Sequence, residues 1–143
     1  MRKKKFKRGY TSGVYDMFHI GHLNIFKNAK DYCDFLIVAV STDELVHEYK
    51  NHYPIIPFAE RKAIVESIKY VDAVVSQETM DKKIAAIKYG IDVMFVGDDW
   101  KGTEKWDRIE KDLKEIGVDL IYLPHTNGIS STILRKKINK GED

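Results

Sequence analysis

The chain has 143 residues, 43% of them hydrophobic and 32% charged, with a formal net charge of +2. That is enough apolar material for one core and one domain over 1–143, and so balanced a surface does not suit a general nucleic-acid binder. The single cysteine excludes an intramolecular disulfide; with no bilayer-length apolar run and no signal-peptide core after the basic start, a cytosolic protein with no membrane partner is expected.

Residues 1–5 read as a basic tail that Lys7 and Arg8 continue, a solvated lead without interleaved aromatic residues. Phe6 to Ser12 predicts the first strand. Gly13-Val14-Tyr15-Asp16-Met17-Phe18-His19-Ile20-Gly21-His22 follows and runs into an amphipathic helix. The first turn of a helix offers free backbone N–H groups and the positive end of the dipole, which favour an anion. Gly21 has no Cβ and lets a bulky anion come close. Two imidazoles able to take a proton suit charge that builds up on a phosphoryl group. Zinc is a competing reading, but the His-x-x-His spacing is tight and structural zinc wants four ligands. Cys33 is expected on the buried face of the helix, where it offers no ligand. Ordinary surface or core histidines are the other alternative.

Leu23, Phe26 and Cys33 keep helical spacing. Phe35 to Val40 is an apolar, β-branched run suited to a parallel strand covered on both faces. Ser41-Thr42-Asp43-Glu44 predicts a helix start capped by Thr42. Glu48 to Pro57 reads as a loop broken by Pro54 and Pro57, with Lys50 and His52 adding positive charge. Phe58 to Tyr70 predicts a helix with Ala63, Ile64, Ser67 and Ile68 on one face. Val71–Val75, Ile91–Val96 and Val118–Leu123 read as strands. Met80–Tyr89, Thr103–Ile116 and Ser130–Ile138 read as helices, the first two closed by Gly90 and Gly117. Strands alternating with helices predict an α/β fold, a Rossmann-like open parallel five-stranded sheet with helices on both faces. In such sheets ligands bind where the winding reverses, at the carboxyl ends of the strands.

His19-Ile20-Gly21-His22 resembles the His-x-Gly-His signature of the nucleotidyltransferase superfamily, and Gly13 to Phe18 resembles its lead-in. Gly97-Asp98-Asp99-Trp100 and Thr126-Asn127-Gly128-Ile129-Ser130-Ser131-Thr132 resemble two further motifs, in order, of its cytidylyltransferases. The similarity runs from about Tyr10 to Ile138 and is strongest to the bacterial members that use glycerol 3-phosphate.

The resemblance implies transfer of the cytidylyl group of CTP to a small phosphorylated alcohol, with Mg2+ on the triphosphate and a homodimer as the working form. Phosphocholine, phosphoethanolamine or a phosphonate as acceptor, or a non-catalytic nucleotide sensor, are the other readings. His19, His22 and Lys50 would be catalytic. Gly13, Val14, Tyr15, Gly97, Asp98, Asp99, His125, Thr126, Gly128, Ile129, Ser130 and Ser131 would join the two histidines in holding the nucleotide. Asp99 would read the cytosine amine. Asp16, Lys50, Arg61 and Lys69 would meet the acceptor. None of these residues is expected to form a resident metal site. One departure stands out: His125 occupies the place of the family's arginine, where a permanent charge and a fork of donors are usual.

Overall fold

Two aspartates that precede strands, Asp72 and Asp92, hold the sheet's amino edge. A computed structural model of the chain describes residues 6–126, 134 and 136–138. The elements run β1 (Phe6–Gly13), α1 (Ile20–Lys30), β2 (Cys33–Ser41), α2 (Asp43–Lys50), α3 (Phe58–Glu66), β3 (Ala73–Gln77), α4 (Lys82–Tyr89), β4 (Val93–Gly97), α5 (Glu104–Glu115) and β5 (Asp119–Leu123). Asp92 accepts the Lys7 and Arg8 amides at 3.0 and 2.8 Å, and Asp72 accepts the Leu36 amide at 2.8 Å while pairing with Lys30. Backbone donors that precede the regular ladder are thereby satisfied.

The five strands form one parallel sheet in the order β3-β2-β1-β4-β5. The chain winds outward from β1 to β3, returns through α4 to the other side of β1, and winds outward again. Side chains alternate along β2: Leu36, Val38 and Val40 join Phe26 of α1 and Val65 of α3 on one face. Ile37 and Ala39 join Ala86 of α4 with Trp106 and Leu113 of α5 on the other. Both faces are covered, as the continuous apolar run requires. The centre is tight: a Cβ on Gly9 would lie 2.6 Å from the Phe95 ring and 2.8 Å from Cys33 Sγ.

Four local expectations change. Cys33 is buried, as expected, but it opens β2 rather than lying on α1. Lys50 is the last residue of α2, not part of a loop, because Asn51 closes that helix in the left-handed conformation. The buried face of α3 carries Arg61 and Val65, while Ile64 is exposed; an arginine with each of its three nitrogens hydrogen-bonded can take a core position. The third strand starts at Ala73, two residues late, since Val71 still bonds back to Ile68. Of the terminal helix, Leu134 and residues 136–138 are helical; the basic tail and Gly128 to Ser131 lie outside the described residues.

Candidate active site

The reversal of winding opens the site. β1 and β4 are paired only at Gly9–Val93 and Tyr10–Met94. Beyond that they part, and the Phe95 carbonyl takes the Thr11 hydroxyl at 3.0 Å in place of a strand amide. A cleft of about 460 Å3 lies over the parted ends, a size suited to a nucleotide-scale ligand. A larger cavity, about 560 Å3, lies between α4 and α5 and holds none of the motif residues.

The turn from β1 into α1 is strained. Tyr15 (φ 56°) and Met17 (φ 49°) both take the left-handed conformation without being glycine, at a cost on the order of 1–2 kcal/mol each. Strain of this kind persists where the surroundings impose it, and it gathers at functional sites. Two anchors impose it here. Tyr15 is buried and its ring meets Phe26 and His22 edge-on. Asp16, 2% exposed, accepts the Ile55 and Ile56 amides, each at 2.9 Å.

This turn delivers His19 to the N-cap of α1. His19 Nδ1 accepts the Gly21 amide at 3.0 Å, and His22 Nδ1 accepts the His19 amide at 3.2 Å. The rings stack, with centroids 3.8 Å apart. A backbone N–H can only donate, so each Nδ1 is unprotonated and each neutral ring carries its proton on Nε2. Burial pushes both pKa values down; for His22 burial, with His19 adding to it, brings the value to about 3. In this arrangement the two imidazoles are neutral N–H donors rather than cations. Among the described residues His19 Nε2 is buried with no hydrogen-bond partner, a donor in want of an acceptor.

β4 and β5 supply the other wall. The Asp99 carboxylate folds back over Gly97, where an added Cβ would lie 2.7 Å from Oδ1 and would displace the carboxylate. Asp98 Oδ1 is 2.5 Å from His125 Nδ1 and also accepts the His125 amide at 3.3 Å. Those bonds hold the Asp98 carboxyl below the usual carboxylate range. Thr126 Oγ1 accepts from Asn24 of α1 at 2.9 Å, closing the wall against the histidine helix. Lys50, His52 and Pro54 line the opposite rim.

A family model described as cytidylyltransferase-like matches residues 10–137. The chain belongs to the cytidylyltransferase-like family. It is 41% identical over 133 residues to a glycerol-3-phosphate cytidylyltransferase of Bacillus spizizenii, covering 91% of this chain and 95% of that one. It is 36% identical over 135 residues to the enzyme of the same name from Staphylococcus aureus, covering 92% and 95%. The fold is shared with a lipopolysaccharide core biosynthesis protein from Thermoplasma volcanium, at a TM-score of 0.70 and 24% identity, over 85% of this chain and 97% of the other.

In this cytidylyltransferase-like chain the cleft gathers Gly13, Val14, Tyr15, Asp16, His19, His22, Lys50, Gly97, Asp99, His125 and Thr126. Asp98 stands behind His125. Two expected acceptor contacts are relocated. Arg61 is 1% exposed and lies beneath the site: Nε donates to the Ile56 carbonyl, Nη1 to those of Val14 and Ser41, and Nη2 to Asp43 at 2.6 Å. It fastens the walls together and is not among the cleft's lining residues. Lys69 is exposed on the approach to β3, with its ammonium over the Tyr70 ring. That is the amino end of a parallel strand, so it faces away from a cleft at the carboxyl ends. Sequence reasoning missed Lys82, whose Nζ donates to Ser12 Oγ at 2.8 Å. Its place at a helix start, next to another lysine, gives the appearance of a surface residue.

Proposed function

We propose that the chain transfers the cytidylyl group of CTP to glycerol 3-phosphate, giving CDP-glycerol and pyrophosphate. The observation that carries this reading is the His19–His22 pair: two neutral imidazoles, locked by backbone amides, at a helix N-terminus beside the parted strands. An acceptor phosphate is ionised at neutral pH, so its oxygen can attack the α-phosphorus directly. The new O–P bond forms as the bond to the β-phosphate bridging oxygen breaks, and pyrophosphate leaves with that electron pair. Catalysis is then positioning and electrostatics. The Nε2–H groups of His19 and His22 donate to phosphate oxygens as charge accumulates, and Lys50 adds positive charge from the rim. Asp99 accepts from the cytosine amine, a donor that uracil lacks. His125 and Thr126, with Gly128 to Ser131, hold the triphosphate. Asp16 serves the acceptor side through the loop it anchors.

Mg2+ belongs to this proposal as the ion that enters with CTP. Among the described residues no group of three or more His, Cys, Asp or Glu side chains is placed to hold a metal. In this reading the ion is held mainly by phosphate oxygens and water, with room for one or two carboxylates such as those of Asp98 and Asp99. A cytoplasmic homodimer completes the reading. Tyr49 of α2, Tyr53 and Ile55 of the loop after it, and Ile64 of α3 are all exposed and offer apolar surface to a second copy, and no helix among the described residues is long and apolar enough to cross a membrane.

The test is pyrophosphate release from CTP with a panel of phosphorylated acceptors. Glycerol 3-phosphate is expected to give the highest kcat/KM. His19→Ala and His22→Ala are each expected to lower turnover on the order of 10²-fold or more without unfolding the chain. Release with no acceptor in the panel, or wild-type turnover in both variants, overturns the reading.

A further inference from the structure

We propose that Asn24 is a positioning residue for the nucleotide: its amide ties the histidine helix to the triphosphate wall and turns the Thr126 hydroxyl so that its proton faces the phosphates. The assignment rests on the proposed cytidylyl transfer from CTP in this cleft.

Asn24 lies on α1, two residues after His22, and is half-buried. Gly21 and Asn24 stand three positions apart, so they share one side of the helix, and Gly21 lines the cleft. Asn24 Nδ2 donates to Thr126 Oγ1 at 2.9 Å, across a separation of 102 positions in the chain. Thr126 also lines the cleft, and it opens the stretch assigned above to the triphosphate. The two phosphate-binding motifs come from opposite ends of the chain and from opposite walls, and this bond joins them.

The direction of the bond decides what it does. A threonine hydroxyl has one proton to give and two lone pairs that can receive. The Asn24 N–H occupies one lone pair and leaves the proton for another acceptor. Ionised phosphate oxygens only accept, so a hydroxyl held in this sense is a donor ready for them. The opposite sense, with the Thr126 proton given to an oxygen at position 24, would point lone pairs at the phosphates. His19 and His22 follow the same rule on the facing wall: each Nδ1 accepts a backbone amide, which leaves each Nε2–H for the ligand. Both walls are thus set as donors before a nucleotide arrives, and binding need not reorient them.

The experiment measures CTP binding by calorimetry, and the KM values of CTP and glycerol 3-phosphate. Wild type, Asn24→Ala, Asn24→Asp, Thr126→Val and the double variant Asn24→Ala with Thr126→Val are compared. Asn24→Ala is expected to weaken CTP binding and raise its KM roughly tenfold, with the glycerol 3-phosphate KM unchanged. Asn24→Asp should bind CTP less well than the alanine variant although aspartate nearly matches asparagine in shape, because a carboxylate only accepts and takes the Thr126 proton. Beside Thr126→Val, Asn24→Ala should cost less than about twofold, since the hydroxyl it positions is gone. Wild-type CTP affinity in folded Asn24→Ala, an equal rise in both KM values, or an undiminished effect beside Thr126→Val overturns the assignment. Asn24→Asp that binds CTP as tightly as wild type overturns it too, whether or not Asn24→Ala folds. Wild type that does not bind CTP overturns the reading of the cleft itself, before any variant is compared.

Discussion

The two imidazoles at the start of α1 are legible in the sequence as a pair, but their protonation is not. Two histidines near a helix start invite a cationic reading; the backbone amides on Nδ1 and the burial of the rings make them neutral donors. This has a signed consequence for pH. Both folded pKa values lie below the unfolded value near 6.5, so the unfolded chain binds the extra protons and stability falls as pH drops from about 6.5 toward about 3. His22→Gln is expected to recover on the order of 1–2 kcal/mol of the stability that wild type loses between pH 7 and pH 5, read from urea midpoints; an identical loss in both proteins would show that the ring is solvated. Gly97 illustrates the same limit. It reads as a strand end followed by a charged turn, yet its lack of a side chain makes room for the Asp99 carboxylate. Gly97→Ala should push that carboxylate aside and reduce the preference for CTP over UTP as much as Asp99→Asn does, by about 1–3 kcal/mol. A retained preference in both variants would assign base choice elsewhere.

Between elements, the site is held by two buried side chains whose partners are mostly backbone groups. Asp16 ties the strained turn to residues 55 and 56, and Arg61 ties that turn, the end of β2 and the loop before α3 to one guanidinium. Periodicity placed Ala63 and Ile64 on the inner face of α3 because it weighs apolar residues alone. It has no means to foresee an arginine inside, since three of its four hydrogen-bond partners are carbonyls, which every residue type carries. Removing the guanidinium leaves the carbonyls of Val14, Ser41 and Ile56 without their donor and the Asp43 charge without its partner. Arg61→Met is therefore expected to cost about 3–5 kcal/mol in chemical unfolding. Arg61→Lys should recover only part of that, because one ammonium cannot reproduce the fork. A loss below about 1 kcal/mol in Arg61→Met would mean that water takes over the bonds.

At the scale of the whole molecule the sequence was most informative. Alternating apolar runs and helical spacings were enough for a parallel five-stranded sheet, and the placement of each motif just after a strand was enough for one cleft. The contact of Lys82 with Ser12 was not visible, because Lys82 crosses from the opposite face of the sheet and no spacing rule joins residues 12 and 82. Assembly gives a further prediction: light scattering at micromolar concentration should report twice the chain mass, and Tyr53→Lys with Ile55→Lys should shift it toward the monomer. A monomeric wild type would remove the homodimer. The strand order also bears on how the protein is made. β1 is the central strand and leaves the ribosome first, yet its partner on one side, β4, begins only at Val93. Until then a nascent chain of β1, β2 and β3 carries a bare inner edge and an uncovered apolar face, the kind of surface that recruits chaperones or seeds aggregation. Stalling synthesis before β4 should therefore yield a species far more dependent on chaperones than one stalled after β5.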